Sequence, residues 1–291
     1  MVSNACQTDT RDAPAARVAH GPAPRPLIGA APQTSHGVEW RRLRHELRAA
    51  VQEQDFVLMY LPRRALADGR VVGAQAQLRW PRRGGGLTPS ASFMPLLHEM
   101  HLAAAVASWS LQSACLAASG WPDGQVSVGV PHSVLVDGSL AEIVASALDA
   151  SGLAPERLEI ELAEPALAPA LEHDHSETLL TLSALRDLGV GITLDGFGSV
   201  SASLLTVKIL PLTALSLDRS LVRDLPEDRD AAAVVLAATR FAQALEVTVV
   251  GCGVETQAQR DFLRRAGCAR AQGAFIGKPL TQAAMPAVMT S

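Results

Sequence analysis

The sequence offers little net charge with which to draw a partner. Its formal net charge is −4, so nucleic acid and anionic membrane surfaces exert no general attraction on it. Lysine is nearly missing: Lys208 and Lys278 are the only two, and the other basic side chains are arginine. That bias reads as genome composition rather than function. Four cysteines, Cys6, Cys115, Cys252 and Cys268, lie far apart with no metal-type spacing. This argues against a disulfide framework and favours reduced thiols and a cytoplasmic location. Residues 1–30 hold no continuous apolar segment, so no signal peptide is expected. The most apolar run, Leu102–Ser119, is Ala-rich, broken by Ser and Gln, and short for a bilayer. A buried helix is expected there, and no membrane association. No helix-turn-helix, zinc-finger spacing or P-loop is present, and direct DNA binding is not expected.

What is present is enough apolar material, 48% of 291 residues, for one large domain with a tail. Residues 1–36 are rich in Ala, Pro, Arg, Gly and Ser without periodicity, which predicts a disordered tail. The domain is expected over 37–285, with 286–291 as a C-terminal tail. Val38, Leu43, Leu47 and Val51 recur at helical spacing, predicting an amphipathic helix over 38–54. Its basic run RRLRHELR (41–48) is expected to be a solvated face.

The chain then alternates. Strands are predicted at Phe56–Leu61 and Val71–Trp80, joined by a turn at Asp68-Gly69. Further strands are predicted at Gln125–Val130, Leu158–Leu162, Gly191–Leu194, Ala214–Leu217, Val247–Val250 and Ala271–Ile276. Helices are predicted within Pro89–Ser119 and at Ser139–Ala150, Ser176–Leu188, Arg229–Leu245 and Gln257–Ala266. Strands that alternate with helices, several wholly apolar, argue for parallel strands with crossover helices. About eight such units in ~250 residues fit a (β/α)8 barrel, whose functional groups gather at the C-terminal ends of its strands. His173, Asp174 and His175 are metal-type residues, but they precede a helix and are expected to be a solvated loop.

Six segments carry more specific information: GRVVGAQAQLRW (69–80), LEIELAE (158–164), LDGFGSVSASL (194–204), LSLDRSLV (215–222), VVGCGVET (249–256) and AQGAFIGKPL (271–280). In this order and spacing they resemble the motifs of bacterial EAL domains, which hydrolyse the signal molecule cyclic di-GMP. The resemblance covers about residues 38–285. It implies an α/β chain folded as an EAL-type modified (β/α)8 TIM barrel.

The resemblance also implies where chemistry would sit, and there the sequence departs from the pattern. The family's signature Glu falls on Gln75, its Asn ligand on Gly129 and the second Asp of D-D-F-G on Gly196. Its active-site Lys falls on Ser216 and the catalytic Glu of E-G-V-E on Cys252. Glu161, Asp195 and Gln272 are retained. A two-metal phosphodiesterase needs several carboxylates converging on Mg²⁺ or Mn²⁺. Glu161 and Asp195 alone are expected to hold no metal, or Mg²⁺ weakly, so no cofactor is expected. Cys252 is expected to be a small buried residue rather than a nucleophile. Arg79, Gln272, Asp195, Glu161 and Glu255 remain as candidate ligand-binding residues. Arg79 either contacts a phosphate of the dinucleotide or pairs with a barrel carboxylate. The expected function is a non-catalytic EAL regulator that controls gene expression, of the virulence or motility type, through a protein partner and cyclic di-GMP sensing; a homodimer is allowed. The rival is an active metal-dependent phosphodiesterase with an atypical site.

Overall fold

The computed structural model describes residues 36–82, 86–136, 138–165, 167, 175–199 and 204–290. The predicted tail, except His36, and His173 and Asp174 lie outside the described residues. The chain divides into two compact units, Met1–His45 and Glu46–Ser291. In the first, the described residues are the opening turns of the helix His36–Glu53, on which Arg41, Arg42 and His45 are exposed. The second holds the rest of that helix and the barrel.

Nine strands form one sheet: β1 (Val57–Ala65), β2 (Val71–Pro81), β3 (Leu87–Pro89), β4 (Gln125–Val130), β5 (Leu158–Ala163), β6 (Gly191–Phe197), β7 (Ala214–Leu217), β8 (Thr248–Gly251) and β9 (Arg270–Ala271). Their order is β1-β9-β8-β7-β6-β5-β4-β2-β3, and β1 also pairs with β2. That last pairing closes eight strands into a barrel and leaves β3 as an extension beside the end of β2. β1 runs antiparallel to both of its barrel neighbours, because a short turn at Asp68-Gly69 sends the chain straight back as β2. The remaining neighbours around the barrel are parallel and joined by crossovers, as the alternating sequence required.

The apolar core lies between strands and helices. Val126, Val128, Leu158, Ile160, Ile192, Leu194 and Leu215 are buried there at alternate strand positions. The Ala-rich run folds as the helix Ala103–Ser119, packed against β4, β1 and the helix Leu140–Ser151. Its small side chains let the helix lie close to the sheet. Among the described residues, no helix is long and apolar enough to cross a membrane.

Several strand boundaries differ from expectation; β6, for one, runs on to Phe197 rather than ending at Leu194. β1 does not stop before Pro62 but runs on to Ala65. Tyr60 exchanges both backbone hydrogen bonds with Leu280, and Arg64 pairs with β9. Pro62 falls between those two pairings, where its missing N–H removes no ladder bond. At the other end, β9 stops at Ala271. From there the backbone turns away, with Gln272 accepting from the Val254 N–H and Gly277 donating to Gly273.

Leu47, on the helix before β1, is fully buried within the second unit. Leu47→Ala should therefore cost about 2–5 kcal/mol in unfolding free energy. Truncation through residue 55 should lower the melting temperature, whereas truncation through residue 36 should leave it unchanged. Equal melting temperatures for the two truncations would contradict this placement of the boundary.

Candidate functional site

Strand periodicity builds the site. On β2, Ala74, Ala76, Leu78 and Trp80 are buried on one face, and Gln75, Gln77 and Arg79 alternate with them on the other. On β5, Glu159 and Glu161 alternate with Leu158, Ile160 and Leu162. Parallel register sets Gly129 beside Glu161 and Ala163 beside Asp195. On β6 the register against β7 slips between Leu194 and Phe197. This bulge carries Asp195 and Gly196, and bulges of this kind re-aim side chains next to sites. Gly196 takes φ +77°, a left-handed conformation. Returning an acidic residue there would also impose backbone strain, on the order of 1–3 kcal/mol.

Barrel interiors of this class are commonly filled by Val, Ile and Leu. Here the centre holds a charged network. Arg63 on β1 sits opposite Gly73 of β2, one inward position before Gln75. Its Nη1 donates to Glu159 at 2.5 Å, its Nη2 donates to Glu161, and its Nε donates to Gln272 at 2.7 Å. Arg63, Glu159 and Glu161 are 3, 2 and 4% exposed, so they meet almost without solvent, and Arg270 supplies the second positive charge that balances the two carboxylates. Burial alone would lower the pKa of Arg63, but Glu159 and Glu161 outweigh it and the guanidinium is held more firmly charged. Glu159 shows the complement: burial opposes its ionisation, and Arg63 with Arg270 overcomes that and depresses its pKa.

The network continues outward in both directions. Gln75 donates to the second oxygen of Glu161 at 2.6 Å. The Gln75 carbonyl accepts from Gln272 at 3.1 Å and from Gln77 at 3.2 Å. Gln77 in turn accepts from Arg79 at 2.6 Å. On the other side, Arg270 donates to Glu159 at 3.3 Å and to Gln125 at 2.8 Å.

Above Gln75 and Glu161 lies a cavity of about 390 Å³. Gln75, Gln77, Arg79, Gly129, Glu161 and Asp195 supply its strand-borne wall, and Met94, Val106 and Ser110 are among the residues opposite. A Cβ added to Gly129 would meet nothing within 4 Å, so that position opens onto free space. Five of the positions singled out in the sequence, Gln75, Arg79, Gly129, Glu161 and Asp195, thus share one cavity. Gln272 is buried and reaches the cavity wall through its hydrogen bond to Gln75, and Ser216 is buried on β7.

Several expectations are corrected or settled by geometry. Arg79 does not pair with a barrel carboxylate: it donates to Gln77 and to the carbonyl of Leu78, and forms no ion pair among the described residues. Glu255 does not face the cavity. It is exposed, and its backbone N–H donates to Gln259 in the capping box that starts the helix Gln257–Ala266. Cys252 is half-buried rather than buried; desolvation and the neighbouring Asp195 push its thiol up to about 12, far from a reactive thiolate. His175 begins the helix His175–Asp187 rather than a loop. Residues 200–203 of the LDGFG loop lie outside the described residues. Gly198, at the start of that loop, donates its N–H to buried Glu164 at 3.0 Å.

Sequence reasoning missed Arg63, Glu159 and Glu164. The alternation of Glu159 with Glu161 was a usable signal for one of them. For Arg63 no such cue was available, because the predicted strand ended at Leu61, before it.

Asp195 is left without a firm counter-charge. Burial and the adjacent Glu161 raise its pKa from 3.8 to about 7, against the pull of Arg63. The folded state therefore holds a proton that the unfolded state has already released. The resulting stability is full below about pH 4 and is lost as pH rises through about 7. Asp195→Asn should remove this dependence. Its melting temperature relative to the wild type should rise between about pH 5 and pH 8, and a pH-independent difference would contradict the assignment.

The EAL domain family profile matches residues 44–279. The bifunctional diguanylate cyclase/cyclic di-GMP phosphodiesterase MucR of Pseudomonas aeruginosa is 34% identical over 247 residues, covering 83% of this chain and 36% of that protein. The cyclic di-GMP phosphodiesterase NbdA of the same organism is 35% identical over 249 residues, covering 84% of this chain and 31% of that protein. The chain thus spans about a third of the length of these two relatives. Among solved structures, a PaMucR phosphodiesterase complex with c-di-GMP superposes with a TM-score of 0.77 at 32% identity, covering 84% of this chain and 99% of that one. The FimX EAL domain from Pseudomonas aeruginosa bound to c-di-GMP gives 0.73 at 21% identity, covering 81% and 95%, a likeness of fold alone. With the closed barrel, the ordered motifs and the match over residues 44–279, the chain belongs to the EAL domain family.

Proposed function

We propose that this chain is a non-hydrolysing EAL protein, one that takes cyclic di-GMP into the barrel-mouth cavity and passes its occupancy to a protein partner as a regulator of gene expression. One observation carries the reading. The cavity and its arginine are kept, while Gln75, Gly129, Gly196, Ser216 and Cys252 occupy the positions where the family places its chemistry.

Hydrolysis of a phosphodiester by metal ions needs carboxylates to hold the ions, polarise the phosphate and make hydroxide from water. At the cavity the remaining carboxylates are Glu161 and Asp195, and both oxygens of Glu161 already accept hydrogen bonds. An amide at Gln75 can offer an oxygen but no charge. Binding asks for less. A cavity of about 390 Å³ falls in the range of small-molecule sites. Arg79 on its wall carries a guanidinium suited to a phosphate, with charge-assisted, bidentate geometry. A barrel 32% identical to this one has been solved with c-di-GMP.

Purified protein with Mg²⁺ or Mn²⁺ should produce no linear dinucleotide above a no-enzyme control. EDTA-sensitive turnover would instead establish the active phosphodiesterase. In calorimetry, cyclic di-GMP should bind equally in Mg²⁺ and in EDTA. Arg79→Ala should weaken that binding by about 1–3 kcal/mol. Affinity that collapses in EDTA would overturn the reading.

A further inference from the structure

We propose that Arg63 is a resident cation: its guanidinium holds the barrel's carboxylates in place of a divalent metal ion, and so shuts divalent cations out. This concerns which cation the carboxylates accept; it rests on the non-hydrolysing reading, since metal-dependent cleavage would contradict both, but it stands whether or not the dinucleotide binds.

The donor set is the first argument. A divalent ion of the hard class needs carboxylate and carbonyl oxygens with open lone pairs and enough negative charge to offset it. At the barrel centre those oxygens are engaged. Glu161 accepts from Arg63 through one oxygen and from Gln75 through the other. Glu159 accepts from Arg63 and Arg270. The Gln272 carbonyl accepts from Arg63 and the Gln75 carbonyl from two glutamine amides.

The second argument is charge. Arg63 and Arg270 face Glu159 and Glu161, two positive groups against two negative, before any metal arrives. Of the two carboxylates lining the cavity, an incoming divalent ion would find only Asp195 unpaired, and would have to sit beside a buried guanidinium. Like charges in a solvent-poor interior repel strongly. Expelling Arg63 would leave its own charge buried without a partner, because it lies inside the barrel and not at the surface.

The third argument is register. β1 is the one antiparallel strand of the closed barrel, and Arg63 lies opposite Gly73, which has no side chain to obstruct it. The guanidinium thus enters beneath the cavity floor and fans its three donors to Glu159, Glu161 and Gln272. A planar group with donors fixed in a fork suits such a task better than a lysine ammonium.

Removing the guanidinium should therefore uncover a cation site on Glu161 and Asp195, which line the same cavity, with water completing the shell. The test is a Mn²⁺ titration of the full chain, reading the free-ion signal by electron paramagnetic resonance together with the melting temperature. The wild type should neither deplete the free Mn²⁺ signal nor gain stability from it. Arg63→Ala should melt lower than the wild type in EDTA and recover with Mn²⁺. It should also bind Mn²⁺ at least about tenfold more tightly than the wild type. Arg63→Ala/Glu161→Gln should lose that binding. If Arg63→Ala does not fold, Arg63→Met/Glu159→Gln removes one buried charge of each sign and should show the same gain. Mn²⁺ binding by the wild type that Glu161→Gln abolishes would overturn the proposal. So would a folded Arg63 variant, from either pair, that takes up no Mn²⁺.

Discussion

Arg63, Glu159 and Glu161 are charged groups held almost out of water at the centre of the barrel, and the site takes its form from how they satisfy one another. Each charge would be expensive to bury alone. Paired, with Gln272 taking the third donor, they have their hydrogen bonds met internally. Breaking such a set by removing one member leaves an uncompensated charge, typically about 3–5 kcal/mol. The cluster therefore ties β1, β5 and the end of β9 to one another across the barrel, on strands far apart in sequence. Order at the cavity floor follows, since Gln75 is fixed by Glu161 and Gln272 fixes Gln75.

From that floor the rest of the site can be built outward. The β2 alternation carries Gln77 and Arg79 from the buried centre to the cavity wall, each donating to the residue two positions below it. Gly129 leaves space where a side chain could have closed the mouth. The bulge on β6 places Asp195 at the rim, without a cation of its own. The result is a cavity with a basic wall and a neutralised floor. On the function proposed above, that combination serves to hold a phosphate, since a guanidinium can bind the anion while both oxygens of Glu161 are already engaged.

Much of this was readable from the sequence, and the exceptions have definite causes. The alternation of apolar strands and helices led to the barrel because each strand needs a covered face. The segment GRVVGAQAQLRW placed Gln75 and Arg79 on one side of a strand through simple period-two counting. Pro62 misled the boundary of β1: a proline ordinarily demotes a strand, and only the tertiary pairing at Tyr60 and Arg64 shows that its missing N–H falls in a gap. Arg63 then stayed outside the strand in the sequence reading, so its inward direction was lost. Its partners lie 96, 98 and 209 residues away, beyond any local pattern. Glu255 failed for the opposite reason. A motif placed it near chemistry, but it is exposed and does not line the cavity, and its backbone N–H serves the cap of the next helix.

The most direct measurement is an anomalous-difference map from crystals of the wild-type protein grown in excess Mn²⁺. The resident cation predicts no Mn²⁺ peak within bonding distance of Glu159, Glu161 or Asp195, with the Arg63 guanidinium lying between the two glutamates. A Mn²⁺ peak on Glu161 and Asp195, with Arg63 swung away from them, would contradict it.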